Sequence, residues 1–330
     1  MSSRLFVGID TSNYTTSAAL CTEDGEVLCN KKVPLPVAEG ERGLRQSDAV
    51  FHHVKNLPDA AAALRAALGD CTAFGEGRIA AVGVSASPRD AEGSYMPCFL
   101  AGVSAAEIAG ALLGVPVLRF SHQAGHLMAA LHSAGAEHLL GGEFAAFHVS
   151  GGTTDVLHVT PHDDHVFSVE KIGGTRDINA GQSIDRTGVH MGLRFPAGAE
   201  MERLASSFTG KLPHAKIAAD GLFCNLSGLE NKANALYDTT GDRAMTAAFV
   251  LDFVGRTLYA LRTAVRERYG DIPILYAGGV MSCRRFTGML DDGHAWFALP
   301  QFSSDNAAGT ALLARRKFLL TEADNGTADA

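Results

Sequence analysis

Residues 5–27, LFVGIDTSNYTTSAALCTEDGEV, carry the pattern that decides the fold. A strand-like apolar run ends in a turn of small polar residues, a second strand follows, and an acidic turn leads into a third strand. Residues 144–166, FAAFHVSGGTTDVLHVTPHDDHV, repeat this order further along the chain. Two copies of one hairpin unit indicate a duplicated fold.

Matching segments follow each hairpin unit. Buried-strand runs at 79–84 and 274–280 each open into Gly or Ser. Apolar residues at helical spacing predict helices over 47–68 and 247–269, and a last helix over about 306–320. The sequence therefore predicts two similar α/β domains, each built on a five-stranded sheet.

The predicted domains are residues 1–118 and 119–305, with the last helix packed back on the first and 321–330 as a frayed tail. No Pro- or Ser-rich linker separates the halves, so we expect them to face each other across a central cleft. This arrangement resembles the duplicated actin-like ATPase (RNase H-like) fold. That resemblance implies nucleotide phosphates between the hairpin loops, with the metal and nucleotide loops in the second domain.

Composition restricts the class of protein. The 330 residues include 46% hydrophobic and 19% charged ones, with 36 glycines and a net charge of −8, which excludes fibrous, disulfide-scaffold and disordered classes. Nucleic-acid binding would need a local basic patch or a partner protein. The six cysteines are scattered, and we expect no signal peptide, because the first apolar run is typical of a strand. The apolar stretch 96–118 contains Glu107 and is interpreted as a buried helix, so we expect a soluble, cytoplasmic protein with no membrane contact.

A candidate metal site comes from the segment Ser121-His-Gln-Ala-Gly-His126. His122 and His126 are four residues apart on one helical face, with Ser121 as N-cap, and imidazoles at that spacing can share a metal ion. The alternative is a pair of surface or cap histidines. Asp305, before the last helix, is a candidate third ligand, and the alternative for it is a plain N-cap.

Glycine-containing turns form a second candidate site. Ser150, Gly151 and Gly152 lie between two strands, where backbone amides can approach a phosphate, although an ordinary hairpin reads the same way. Gly278 and Gly279 end a strand, which fits either a backbone packed on adenine or a tight strand–helix turn. In a polar run, Asp177 and Asp185 are possible ribose or metal-water contacts, or simply solvated loop residues.

Taken in order, these segments resemble the tRNA threonylcarbamoyladenosine synthase (TsaD-type) family, formerly called O-sialoglycoprotein endopeptidases. The matches span almost the whole chain and make it a divergent member. They are GIDTS (8–12), His52, His53, Asn56 and Pro58, GVP (114–116) leading to His122 and His126, VSGG (149–152), Ala180-Gly181 with Asp185, FPAG (195–198), LSGL (226–229), AGGV (277–280) and SDNAA (304–308).

The resemblance implies a divalent metal, Fe or Zn, held by His122, His126 and Asp305, and a nucleotide phosphate that reaches it. It also implies nucleotide contacts at the glycine loops above and at Asp185, Gly198 and Cys283. In the family these loops hold threonylcarbamoyl-adenylate, whose carbamoyl carbon is attacked by the N6 amine of a tRNA adenosine. The implied partners are an adenine nucleotide, tRNA through a partner complex, and a protein of the same modification pathway.

Departures from the family pattern leave a second function open. Tyr14 and Thr15 replace two acidic residues of the first loop, Ala124 replaces a Glu between the histidines, and Cys283 replaces an Asn. The leading hypothesis is a metal-dependent threonylcarbamoyl or carbamoyl-type transferase whose catalytic residues are unknown. The alternative is a non-catalytic paralogue that binds nucleotide and metal with a regulatory or partner role. A metallopeptidase is disfavoured because no general base accompanies the two histidines. A sugar kinase is disfavoured because the first loop has no Lys or acidic residue placed for phosphoryl transfer.

Overall fold

A computed structural model describes residues 4–12, 14–36, 44–72, 78–163, 165–300 and 307–328. The chain divides into two compact units. The first comprises the described residues of Met1–Leu140, Pro161–Ser168 and Ser304–Ala330, and the second those of Gly141–Thr160 and Val169–Ser303.

The first unit is built on a five-stranded sheet of order β3-β2-β1-β4-β5. Its strands are β1 (Arg4–Ser12), β2 (Thr15–Thr22), β3 (Val27–Pro34), β4 (Arg78–Ser87) and β5 (Val117–Ser121), and its first helices are α1 (Gln46–Thr72), α2 (Phe99–Leu113) and α3 (His122–Ser133). Strand β1 pairs antiparallel with β2 and parallel with β4. After Arg4 every residue of β1 is buried, as expected for a central strand covered on both faces.

The second unit contains a seven-stranded sheet of order β12-β11-β6-β7-β8-β10-β9. Its strands are β6 (Phe144–Val149), β7 (Thr154–His162), β8 (Val166–Thr175), β9 (Ala218–Asp220), β10 (Phe223–Asn225), β11 (Ile274–Ala277) and β12 (Ala295–Phe297). Its helices are α4 (Ala180–His190), α5 (Gly198–Ser207), α6 (Ser227–Thr240), α7 (Arg243–Tyr269) and α8 (Arg284–Leu290). The short turn Gly279–Ser282 is a 3₁₀ helix between β11 and α8.

The strand orders confirm the predicted duplication. The order β8-β7-β6-β11-β12 in the second sheet repeats β3-β2-β1-β4-β5 in the first, with the same antiparallel hairpin and parallel partner. The prediction of five strands in the second sheet is wrong, because the hairpin of β9 and β10 extends the edge beside β8. Strands of three residues are too short to show an alternating pattern.

Helix α9 (Ala308–Ala328) packs on the first sheet and continues eight residues beyond the predicted end at 320. Its close approach depends on glycine: a Cβ on Gly8 of β1 would lie 2.5 Å from the Ala311 nitrogen, and one on Gly83 of β4 would lie 2.6 Å from the Thr310 carbonyl oxygen. Because two neighbouring central strands have glycine at these positions, α9 packs directly on their backbone.

Helix α3 lies in the first unit, so the units divide the chain differently from the predicted limit at residue 118. The reason is packing: Gly309 of α9 fits directly against the Gly125 carbonyl of α3, with no room for a Cβ. The two predicted histidine ligands therefore lie beside the first sheet and not in the domain that the sequence analysis assigns to them.

Helix α7 is the one helix in the described part of the chain whose length and composition would suffice to cross a membrane. It has 27 residues, but 67% of its most apolar window is buried inside the protein. Phe249, Phe253 and Leu261 of α7 are among the buried residues in the hydrophobic core of the second unit. The apolar stretch around Glu107 forms α2, a helix of only 15 residues.

Candidate nucleotide and metal sites

The two predicted histidine ligands lie together at the start of α3. Strand β5 ends at Ser121, whose Oγ accepts a hydrogen bond from the Ala124 amide at 3.1 Å and caps the helix. One helical turn apart on the same face, His122 and His126 bring their Nε2 atoms to 2.9 Å. Two imidazole nitrogens at this separation face a common point, as histidines that share a cation do.

A buried carboxylate lies on the far side of His122. Asp10, at the end of β1, is only 1% exposed, and its Oδ2 lies 2.8 Å from His122 Nδ1. Burial alone would raise the pKa of Asp10, but the charge of His122 and hydrogen bonds from His122, Ser12 and Ser85 outweigh it and lower this pKa. Asp10 is therefore ionised at neutral pH, a role that the sequence analysis above does not predict. The available signal was an acidic residue at the carboxyl end of a buried strand.

The donor set at His122 fits a divalent transition metal. A histidine ligand commonly donates its other ring nitrogen to a carboxylate, and Asp10 occupies that position. No group of three His, Cys, Asp or Glu side chains that could hold a metal occurs among the described residues. The predicted third ligand, Asp305, lies in 301–306, outside them. The metal site thus stays a prediction.

A second buried histidine lies in the same unit. His53 of α1 is fully buried, and its Nδ1 lies 2.8 Å from Thr16 Oγ1. Its Nε2 is buried with no hydrogen-bond partner among the described residues. Burial lowers the pKa of His53 to about 4, although Asp10 acts in the opposite sense. His53 is therefore neutral at physiological pH and belongs to the interior.

A cavity of about 510 Å³ lies in the second unit. One wall is apolar and includes Ile184, Leu251 and Phe286, while the carboxylates of Asp185 and Glu202 face the same space. The remaining lining residues are Gly151, Gly181, Phe195, Pro196, Gly198, Ala199, Gly279, Val280, Ser282 and Cys283. An apolar cavity of this size with a few polar groups is typical of a small-molecule site.

The structure brings together five of the predicted nucleotide contacts. Gly151, Asp185, Gly198, Gly279 and Cys283 all line the cavity. Three others do not line it: Ser150, Gly152 and Gly278. Whether any of these residues contacts a nucleotide stays a prediction.

Gly278 and Gly181 allow close approaches of the backbone around the cavity. Gly278 has a φ of 100°, and a Cβ there would collide with the Val149 carbonyl oxygen. A Cβ on Gly181, at the start of α4, would lie 2.6 Å from the Gly151 Cα. Nothing lies within 4 Å of a Cβ built on Gly151 or Gly152. These two glycines are therefore not required by protein packing.

Asp185 and Glu202 are held by backbone amides. Asp185 Oδ1 accepts a hydrogen bond from the Ala197 amide at 2.7 Å, which fixes the turn before α5. Glu202 Oε1 accepts one from the Arg284 amide at 2.8 Å, at the start of α8. Glu202 is not apparent from the sequence, since only the folded chain brings α5 to the start of α8.

The Cys283 thiol is buried beside Glu202, and burial raises the pKa of this thiol to about 11. At neutral pH it is protonated and therefore weakly nucleophilic. Within the cavity Cys283 supplies a small, weakly polar surface.

Asp177 has a structural role. Its carboxylate accepts hydrogen bonds from the amides of Ile178, Leu226 and Ser227 and from the Ser227 hydroxyl, at 2.6–3.1 Å. Burial acts to raise the pKa of Asp177, but these hydrogen bonds lower it far below its usual range. Asp177 thereby ties the loop before α4 to the start of α6.

Comparison with known proteins supports one family. The family described as tRNA N6-adenosine threonylcarbamoyltransferase (TsaD) matches residues 40–312. A protein of that name from Streptococcus suis (strain 05ZYH33) is 30% identical over 332 residues, covering 95% of this chain and 92% of its own length. One from Streptococcus pneumoniae (strain Taiwan19F-14) is 30% identical over 290 residues, covering 85% and 81%.

Solved structures support the fold. Full-length HypF in its phosphate- and nucleotide-bound form superposes with a TM-score of 0.56 at 11% identity, over 96% of this chain and 55% of that one. HypF from T. kodakarensis gives 0.54 at 13% identity, over 97% and 48%. This chain thus spans about half the length of those proteins. Together with the repeated strand order, the likeness confirms the α/β, duplicated actin-like fold.

The family match and the two Streptococcus relatives each extend over most of this chain. The chain belongs to the tRNA N6-adenosine threonylcarbamoyltransferase (TsaD) family, as a divergent member at about 30% identity to its relatives.

Proposed function

We propose that this protein transfers a threonylcarbamoyl or carbamoyl-type group from an adenylate to the N6 amine of a tRNA adenosine. The observation that carries the proposal is the cavity of the second unit, which joins an apolar wall to two fixed carboxylates. Family membership supports the same reaction, because the relatives are named for it.

The cavity fits the nucleoside part of such a donor. Leu251 and Phe286 offer apolar surface to an adenine ring, and Asp185 and Glu202 offer carboxylate oxygens to ribose hydroxyls. Both carboxylates already accept one backbone amide, so their orientation is set before a ligand enters.

The proposed chemistry is an acyl transfer. The N6 amine attacks the carbamoyl carbon of the adenylate, and a C–N bond forms. The bond from that carbon to the phosphate oxygen breaks, AMP leaves with the electron pair, and the amine proton passes to solvent. Backbone amides near Gly151 are suited to hold the phosphate charge.

His122 and His126, with Asp305, are the residues that would hold a divalent metal, and Fe or Zn fits two imidazoles and a carboxylate. Such an ion would supply a positive charge and a template for phosphate oxygens.

A second candidate is a paralogue that binds nucleotide and metal without transferring the group. The replaced positions favour it: Tyr14 is 43% exposed in the first hairpin turn, and Ala124 is buried between the two histidines. Neither position offers a carboxylate to a substrate.

Mass spectrometry of tRNA nucleosides separates the two candidates. Deleting the gene in its host should abolish threonylcarbamoyladenosine if this protein is the transferase, and plasmid-borne wild type should restore it. Unchanged tRNA in the deletion strain, with nucleotide still bound to the purified protein, would contradict the transferase and support the paralogue.

Titration calorimetry with ATP tests the cavity itself. Glu202→Gln keeps the acceptor for the Arg284 amide but removes the charge, and we expect about 10- to 100-fold weaker binding from the loss of a charge-assisted hydrogen bond. Glu200→Gln is the matched control, because Glu200 is on the same helix, pairs with Arg203 and does not line the cavity. Equal affinities of the two variants would remove Glu202 from the site.

The predicted partners follow from the family resemblance. At a net charge of −8, tRNA binding needs a local basic patch or a partner protein, and we propose that tRNA arrives through a complex with a second protein of the pathway. Cytoplasmic localisation is part of the same proposal.

A further inference from the structure

The hydrogen-bonding partners of Asp10 determine where the protons lie in this site. The Ser12 backbone N–H donates to Asp10 Oδ1 at 2.8 Å, and the Ser85 hydroxyl donates to Oδ2 at 2.6 Å. His122 Nδ1 lies 2.8 Å from the same Oδ2. An ionised carboxylate only accepts hydrogen bonds, so the Nδ1 of His122 must carry a proton.

We propose that Asp10 is a positioning residue that fixes the tautomer of His122. Because Asp10 holds a proton on Nδ1, the neutral form of His122 has its lone pair on Nε2, the nitrogen that faces His126. That lone pair is what a divalent cation requires. The inference rests on the proposed metal function of the two histidines, but the tautomer itself exists without a metal.

Asp10→Asn should invert this arrangement while keeping the shape of the side chain. The Ser12 amide is a fixed donor, so the carboxamide oxygen stays opposite it and the NH₂ group takes the place of Oδ2. That NH₂ group donates to His122 Nδ1, which must then be bare, and the proton moves to Nε2. The Ser85 hydroxyl accommodates the change, because it can accept from the NH₂ group and lies 3.2 Å from Thr310 Oγ1.

Nitrogen-15 NMR of histidine side chains in the metal-free, full-length protein at pH 8 tests the proposal. We expect a protonated Nδ1 and a bare Nε2 for His122 in the wild type, and the reverse in Asp10→Asn. Ser17→Ala is the matched control, because the buried Ser17 hydroxyl donates to the backbone oxygen of Asp10, at 3.4 Å, and not to its carboxylate, so its loss should leave the tautomer unchanged. Ser85→Ala removes one donor but keeps the carboxylate, and should also preserve it.

The wild-type spectrum can overturn the proposal without any variant. A proton on Nε2 of neutral His122, or protons on both nitrogens at pH 8, would contradict the assignment, as would an unchanged tautomer in Asp10→Asn. If Asp10→Asn does not fold, the wild type and Ser85→Ala still decide the question.

Zinc affinity, measured by competition with a chelator, gives the second readout. We expect Asp10→Asn to bind Zn²⁺ about 10- to 100-fold more weakly than the wild type, which is the usual effect of removing a residue that hydrogen-bonds to a ligating histidine. Ser17→Ala should bind Zn²⁺ as well as the wild type does. Equal affinities for the wild type and Asp10→Asn would refute the positioning role. A wild type that binds no Zn²⁺ but shows the expected tautomers would overturn the proposed metal site and leave the tautomer assignment standing.

Discussion

The protonation state of a buried side chain depends on its surroundings, as His53 illustrates. His53 is neutral because it is fully buried, with a pKa of about 4 in the folded state against about 6.5 for an ordinary histidine. When the pH falls below 6.5, the unfolded chain therefore takes up a proton at this position that the folded chain does not. The free energy of unfolding falls from pH 6.5 down to about 4, where the folded state is protonated too.

Urea unfolding at two pH values measures this contribution. Between pH 7.5 and 5, His53 should cost the wild type about 2 kcal/mol of stability, from roughly 1.4 kcal/mol for each pH unit below 6.5. His53→Gln does not titrate, so its stability should fall by that much less over the same interval. Equal pH dependence in the wild type and the variant would show that His53 does not titrate as its burial requires.

Some site residues could be predicted from the sequence and others could not, for a physical reason. His122 and His126 are four residues apart, so the helical repeat alone puts them together. The contact from His122 to Asp10 spans 112 residues and that from Glu202 to Arg284 spans 82, so both depend on the tertiary fold. Local spacing carries no information about contacts of this kind.

At the scale of an element, the packing of helix α9 depends on glycines in the strands beneath it. Gly8→Ala should destabilise the first unit, because the new Cβ would lie 2.5 Å from the Ala311 nitrogen and push α9 from the sheet. We expect a loss of about 1–3 kcal/mol, measured by chemical unfolding. Gly288→Ala is the control, since a Cβ on this glycine of α8 meets nothing within 4 Å. Similar stabilities for the two variants would mean that α9 adjusts its position freely.

Long elements were predicted better than short ones. The periodic patterns of α1 and α7 predict both helices, and the polar end of α9 was expected to fray although the helix continues to Ala328. The hairpin of β9 and β10 went unpredicted because each strand has three residues. Its place in the sheet is set by the pairing of β10 with β8, which is a tertiary contact and not a sequence pattern.

At the scale of the whole molecule, the two candidate sites lie in different compact units. The histidine pair lies in the first and the cavity in the second. Ligands for each site should therefore protect different amides from hydrogen exchange.

Hydrogen exchange with mass spectrometry on the full-length protein checks this. Adenosine should slow exchange in 181–186 and 279–286, which line the cavity, and Zn²⁺ should slow it in 121–126. Adenosine that leaves both cavity segments unchanged would contradict the nucleoside assignment. Zn²⁺ that changes exchange only outside α3 would contradict the histidine site.

The packing of α9 on Gly8 and Gly83 also has a consequence for folding during synthesis on the ribosome. Strands β1 and β4 emerge among the first ninety residues of the nascent chain, whereas α9 begins at Ala308. At roughly 5–20 residues per second, translation of the roughly 220 residues between the end of β4 and the start of α9 takes about 10–45 s. Throughout that interval the first sheet has one face uncovered, and its apolar strands are open to non-native contacts. The second unit, whose strands and helices all precede residue 304, can complete its fold first. The strands of the first unit are thus synthesised first, but that unit is the last to complete its fold.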